Sequence, residues 1–426
     1  MLSRISVRGA SSAAASATAS APTKQTHTTP SGLIVSSDER NGAVSHLVLA
    51  FRAGTRYELP SQKGLVHHIR NFVGRDTNNY LGVPLLWSTA GTGATIRAFA
   101  TRDLYGVTLS VPRAEVNVAL SVLGHVAAQP SFKPWELVEN QETLIADLAS
   151  RSAFDFLNDD VHRAAFRNGG LSNGLFAPKK LVGTYSQAEL QGFAASRLVS
   201  GEAALFGINV AHDVLANYGE NHAPLNSGKG QPTKASPFVG GESRRWSSGK
   251  LAHVLLVGEG ATISDVKGLA AQNVLLATLA HNTLKYGGKS GNGILAKAVA
   301  NEGAGISAYQ AAYADSGIAG VYLTVDGAAA GSAVRSIAKA LKNFTAGDIE
   351  GAKALATSRV AFGVENGADF VIDKAAYLLG AKGECIMIAI SQTTKADIEA
   401  AAKKLSKKFA LASYGDIDHV PYVDEL

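Results

Sequence analysis

Short strand-like runs at 46–54 and 253–260 each open after a polar segment and end in a glycine-containing turn. A helical stretch follows each one, at 61–73 and 266–284. In the second, Leu269, Val274, Leu275, Leu276 and Leu279 suffice to bury one face. Two hairpin-like segments come next, at 91–111 and 303–325. They share a Gly-x-Gly opening (at Gly91 and Gly303), a central aspartate (Asp103, Asp315) and a closing alternation of β-formers. The offset between the segments is 207 residues at His46 and His253 and 214 at Val111 and Val325. So steady an offset across strand, helix and hairpin is what two copies of one unit produce.

Further helical patterns follow each hairpin: 115–127, 135–157 and 187–198 in the first half, then 333–344, 349–364, 370–379 and 395–407 in the second. The run 385–390 (Cys385 to Ile390) reads as a strand. Residues 221–245 are rich in Gly, Pro, Ser and Lys without periodicity and read as a linker. The expected organisation is a leader at 1–25, a first domain at 26–220, the linker at 221–245 and a second domain at 246–426. Each half is a sheet with helices packed on it, an α+β fold of two tandem α/β sandwiches.

Composition narrows the class. The chain has 426 residues, too many for one ordinary core, and is 46% hydrophobic. No apolar run approaches the ~20 residues needed to cross a bilayer. One cysteine, Cys385, excludes an internal disulfide and a thiolate metal cluster, and its strand-like setting makes it a buried structural thiol. The first 37 residues contain Arg4, Arg8 and Lys24 but no acid, around a Ser/Ala-rich tract at 11–21. That pattern fits a mitochondrial presequence and lacks the apolar core of a secretory signal. Removing those three basic residues lowers the formal charge from +5 to +2, too little to argue for nucleic acid. The closing Val423-Asp424-Glu425-Leu426 is similar to a retention tetrapeptide but reads as an acidic tail.

The chemistry centres on 64–71. A zinc-peptidase helix places two histidines four positions apart, so both imidazoles share a face, with a carboxylate beside them to activate water. Here His67 supplies one imidazole, Asn71 stands four positions on, and Arg70 holds the general-base position. A guanidinium neither accepts a proton from water nor tolerates a nearby zinc ion. His68 offers no better register, since its partners are Asn71 and Phe72, and adjacent helical residues diverge by about 100°. Asp147 is close enough in sequence to serve as a substitute ligand, but one carboxylate with one imidazole under-coordinates zinc. The degenerate set His67, Arg70 and Asn71 therefore predicts no catalytic residue, no metal and no cofactor. The other histidines read as single surface or capping residues, and Gly287–Gly293 as a flexible surface loop without phosphate-loop spacing.

The two-copy organisation, with Lys63-Gly64-Leu65-Val66-His67 on the first helix, resembles the pitrilysin-type metallopeptidases. That family includes the mitochondrial processing peptidase and the core proteins of the cytochrome bc1 complex. Ser307 to Gly317, a tyrosine-rich stretch running into Asp315-Ser316-Gly317, is similar to core-protein segments, as is the terminus from Ala412 to Leu426. The resemblance implies a non-catalytic subunit of ubiquinol–cytochrome c reductase, peripheral on the matrix side of the mitochondrial inner membrane. Its implied partners are core protein 1, cytochrome b, cytochrome c1 and the Rieske iron–sulfur protein, in a dimeric complex. The alternative it implies is a non-catalytic, presequence-binding subunit of the processing peptidase. That role would favour a longer loop near 285–295 carrying acids, where this chain has Lys285 and Lys289.

Overall fold

The computed structural model describes residues 23–279, 293–299, 304–347, 349–380 and 386–426. The leader lies outside these except for Thr23–Gln25, which already belong to the first strand, so the fold begins earlier than the expected residue 26. Cys385 and Gly287–Asn292 also lie outside the described residues.

The first sheet holds β1 (Thr23–Thr28), β2 (Ile34–Glu39), β3 (Val44–Phe51), β4 (Thr95–Ala100), β5 (Tyr105–Pro112) and β6 (Ala203–Ile208), in the order β1-β2-β6-β3-β5-β4. The second holds β7 (Gly241–Trp246), β8 (Leu251–Glu259), β9 (Gly305–Ala312), β10 (Gly317–Asp326) and β11 (Phe409–Gly415), in the order β7-β11-β8-β10-β9. Without β1 the two orders are the same. In each, one pair is parallel, β2 with β6 and β7 with β11. The repeat inferred from sequence offsets is thus a repeat of topology. Strand β7 corrects the expected linker, because 241–245 lie in the sheet as the counterpart of β2.

The helices of the first half are α1 (Leu65–Arg70), α2 (Gly82–Gly91), α3 (Val116–Ala128), α4 (Pro134–Ala149), α5 (Ala153–Phe166), α6 (Gln187–Arg197) and α7 (His212–Asn217). A π-turn, Tyr218–His222, follows them. The second half contributes α8 (Val266–Leu279), α9 (Ile294–Val299), α10 (Ala330–Lys342), α11 (Ile349–Glu365), α12 (Gly367–Gly380), α13 (Ile386–Gln392) and α14 (Lys395–Ser406). Three expectations change. The helix expected over 61–73 is confined to Leu65–Arg70. The single helix expected over 135–157 is two helices, because Ser152 and Asp155 form a reciprocal capping box that starts α5 afresh. The strand expected at 385–390 is helical from Ile386: its apolar side chains pack against α8 and α11, and tertiary burial overrides β-propensity.

Helices α5 and α12 are 214 residues apart in sequence and equal in length, and each lies on the sheet of the other half. Leu157, Val161, Ala165 and Phe166 of α5 join a buried cluster with Leu255 and Val257 of β8 and Ala410 and Ala412 of β11. Reciprocally, Val371, Ala375 and Leu379 of α12 pack on Val48 and Ala50 of β3 and Phe206 and Ile208 of β6. The alternate residues of β3, Leu47, Leu49 and Phe51, face α1, α3 and α6. Both sides of each sheet are therefore buried, and each fully buried large side chain contributes about 1.5–3 kcal/mol. Each half, as divided at 220 and 246, thus lends one helix to the sheet of the other.

Polar contacts tie the halves further. Arg56 bonds Asp103 at 2.7 Å and both oxygens of Asp315 at 2.7 and 2.8 Å. The ring of His162 on α5 meets the Tyr313 hydroxyl at 2.6 Å, and Arg52 donates to the Leu379 carbonyl at the end of α12. No helix among the described residues is long and apolar enough to cross a membrane.

Candidate functional site

Gly64 starts α1 with a positive φ of 87°, and a Cβ there would lie 2.3 Å from the Ala177 Cα. Glycine is required both for the turn and for the close approach of the 177 segment. The buried Glu58 carboxyl accepts from the N–H groups of Gly64 and Val66 at 2.9 and 2.8 Å, satisfying the open end of the helix. Burial pushes this carboxyl up to about 8, against the pull of those donors.

His67, Arg70 and Asn71 all turn towards Asp147 on α4. The His67 Nε2 lies 2.7 Å from Asp147 Oδ2, Arg70 donates to the same oxygen, and Asn71 Nδ2 reaches it at 3.4 Å. The Ala177 N–H meets the other ring nitrogen, Nδ1, at 3.3 Å. An amide N–H can only donate, so Nδ1 is the acceptor and Nε2 carries the hydrogen given to Asp147. Burial, the strongest influence, lowers the His67 imidazole to about 4 even beside a carboxylate, so the ring is neutral. For Asp147, burial acts upward, but the His67 hydrogen bond and the Arg70 charge outweigh it and hold the carboxyl below its ordinary range.

His68 does not join this constellation. Its Nδ1 lies 2.7 Å from the Gly64 carbonyl, its Nε2 accepts from Gly183 N–H at 3.2 Å, and its ring stands edge-on to Tyr185. It is a satisfied core histidine. Glu139, also on α4, accepts from Arg75 at 2.6 Å.

This donor set does not fit zinc. His67 has no free lone pair, Asp147 already carries a guanidinium, and Asn71 supplies only a neutral amide. Among the described residues no three of His, Cys, Asp and Glu are grouped to hold a metal ion. The arrangement is a closed polar network: one carboxylate satisfied by an imidazole, a guanidinium and an amide. Arg70 also lies over the Phe176 ring at 5.4 Å, Arg151 over Phe176 and Phe156 at 4.4 and 4.2 Å, and Arg245 over Phe156 at 5.2 Å. This stack of guanidinium and aromatic planes runs from α1 across α5 to β7 of the second sheet. Sequence reasoning identified Asp147 only as a substitute ligand.

The fold, two tandem α/β units with this altered helix in the first, is that of the M16 peptidases. Residues 33–179 match the insulinase family, peptidase family M16. The particular likeness is narrower. The chain is 28% identical to cytochrome b-c1 complex subunit 2, mitochondrial, of Homo sapiens, covering 93% of this chain and 90% of that protein. It is also 28% identical to the subunit of that name in Neurospora crassa, over 98% and 94% of the two chains. Mitochondrial-processing peptidase subunit alpha-2 of Dictyostelium discoideum is 27% identical over 90% of this chain and 89% of its own. Among solved structures, a chain of complex III2 from Candida albicans superposes with a TM-score of 0.80. It is 18% identical and covers 94% of this chain and 98% of that one.

Proposed function

We propose that the chain is a non-catalytic core subunit of mitochondrial ubiquinol–cytochrome c reductase, needed for the assembly and stability of that complex. The observation that carries this reading is the near end-to-end similarity to cytochrome b-c1 complex subunit 2, which spans both repeats and not only the peptidase-like half. The closed network at Asp147 supports the non-catalytic part: no group at the altered helix is placed to activate water, and Arg70 opposes a bound cation. On this reading the protein is peripheral to the inner membrane on the matrix side. It would contact core protein 1, cytochrome b, cytochrome c1 and the Rieske iron–sulfur protein in a dimeric complex, without a cofactor of its own.

The test is native-gel migration. The chain should travel with b- and c-type haem absorbance, and its depletion should lower ubiquinol-dependent cytochrome c reduction while presequence cleavage persists. The similarity to the processing-peptidase alpha subunit favours a second reading, presequence binding for a catalytic partner. Co-migration with a haem-free matrix peptidase and loss of presequence cleavage on depletion would establish that reading and overturn the first.

A further inference from the structure

Helices α10 and α14 pack side by side on the second sheet and finish at the same end of it. Strands β10 and β11 both pair antiparallel with β8, so they run the same way, and the short turns at 327–329 and 407–408 set each helix back against its adjoining strand. The Lys342 ammonium at the end of α10 accordingly lies over the ring of Phe409, the first residue of β11, at 6.0 Å. This end of the molecule collects lysines. Lys339 and Lys342 stand in the last turn of α10, Lys403 and Lys404 in the last turn of α14, and Lys407 and Lys408 just beyond it. Arg167, at the end of α5, joins them: it donates to the Gly240 carbonyl at 3.3 Å, and the Lys408 stem lies against the same Gly240.

Some of these cations already have work in the fold. Lys342 donates to Leu426 and Arg335 to Glu425, so the acidic tail balances that flank of α10. Lys404 donates to the Gly260 carbonyl and lies 3.4 Å from Glu259. Lys342 and Lys404 also stand beside the negative ends of their helices, which one or two cations suffice to offset. Lys339, Lys403, Lys407 and Lys408 are left over: they are exposed and, among the described residues, meet no carboxylate. Lys403 and Lys407 are one turn apart and share a face of α14 with the exposed Ala396 and Ala400. The small positive excess of the chain is therefore gathered at one place.

We propose that this lysine-bearing end docks on an anionic phospholipid surface. The four free ammoniums come from α10, from α14 and from the turn beyond it, so the counter-charge that suits them is spread over a plane. Lysine is a compact, hydrated point charge on a flexible stem, which meets headgroup phosphates without a fixed geometry. No large apolar side chain is exposed among them, and Phe409 is buried, so the contact is electrostatic and reversible, without insertion into the acyl region. A nucleic acid strand fits less well, since grooves that track one interleave their cations with aromatic rings for base stacking. The inference does not rest on membership of the respiratory complex: vesicle binding by the purified chain and co-migration with haem proteins are read separately.

The test is co-sedimentation of the full chain with phosphatidylcholine vesicles containing about one third phosphatidylglycerol, at low salt. The chain should sediment with these and stay in solution with phosphatidylcholine alone. Salt raised to about 1 M, where screening acts within about 3 Å, should release it. Lys407→Gln and Lys408→Gln should each lower the partition coefficient about fivefold, and Lys403→Glu with Lys407→Glu should abolish sedimentation. Lys353→Gln, which removes a lysine paired with Glu350 on α11, is the control and should leave partition unchanged. All these side chains lie outside the core, so melting temperatures equal to the parent's show that the fold is kept. An absence of sedimentation with the anionic vesicles, binding that persists in the double Glu variant, or tighter binding of duplex RNA than of vesicles at the same salt overturns the proposal.

Discussion

Asp103 and Asp315 occupy equivalent positions of the two repeats, at the turns of the β4–β5 and β9–β10 hairpins, and Arg56 holds both. The Arg56 side chain is almost fully buried. The aspartate shared by both copies is therefore the point at which the copies are fastened to each other.

Arg56→Leu leaves two carboxylates facing each other across that junction. Removing one partner of a buried ion pair costs about 3–5 kcal/mol, and the urea midpoint should fall accordingly. Adding Asp103→Asn and Asp315→Asn to the Leu variant should recover part of the loss, because the repulsion is removed. A Leu variant with an unchanged midpoint would show that the junction contributes nothing.

The exchange of α5 and α12 predicts that neither half is a folding unit when cut at the apparent linker. A fragment of 241–426 exposes the sheet face that α5 covers, and should be aggregated or molten by near-ultraviolet circular dichroism. Co-expression with 23–240 should restore a soluble complex. In the full chain, Leu157→Asp should destabilise the second half, read as earlier proteolysis between 241 and 426.

Reverting the altered helix offers a sharper check on its geometry. Arg70→Glu with Asn71→His rebuilds the spacing of two histidines and a glutamate around His67, and Asp147 already reaches positions 67 and 71. The double variant should still hold no stoichiometric zinc at the helix, because the Ala177 N–H keeps the hydrogen on His67 Nε2; metal analysis after dialysis checks this. Arg70→Glu alone, with two carboxylates facing and one imidazole, should bind none there and should melt lower than the parent.

Two buried groups give stability opposite dependences on pH. The folded-state pKa of His67 is depressed to about 4, so its contribution is lost as pH falls from about 6.5 through 4, where the unfolded chain takes up the proton first. Glu58 is raised to about 8, so its contribution is full below its unfolded value of about 4.5 and is lost as pH rises through 8. The melting-temperature gap between the parent and Glu58→Gln should therefore move in the variant's favour between pH 5 and 8. The gap between the parent and His67→Asn should move in the parent's favour over pH 4 to 6.5. Parallel curves would show that neither group is coupled to folding.

Gly64→Ala should be poorly tolerated, since it combines a left-handed φ with a Cβ set against the Ala177 backbone. The expected loss is at least about 2 kcal/mol, with the Ala177-to-His67 contact broken.

What could be read from sequence follows from what repeats. Strands β3 and β8 and the two hairpins were legible because their offset is steady, and Arg70 and Asn71 because a short helix motif has fixed chemical requirements. The exchange of α5 and α12 was not, because an amphipathic helix shows that one face is buried but not against which sheet. The break before α5 had a visible signal, Ser152 with Asp155 three positions on, masked by the continuous apolar pattern around it. The helix at Ile386–Gln392 had none, since Ile-rich runs suit either structure and only its packing on α8 decides. Asp147 was in view, yet its three partners come from another helix and their convergence is a property of the fold.

The guanidinium of Arg70 has a consequence for supply. A peptidase of this fold borrows its positive charge from solution, and can lose it to a chelator or find it replaced by the wrong ion. Here the charge beside Asp147 is synthesised with the chain, present once in every copy and impossible to exchange. The charge balance at Asp147 therefore does not depend on which metal ions are present.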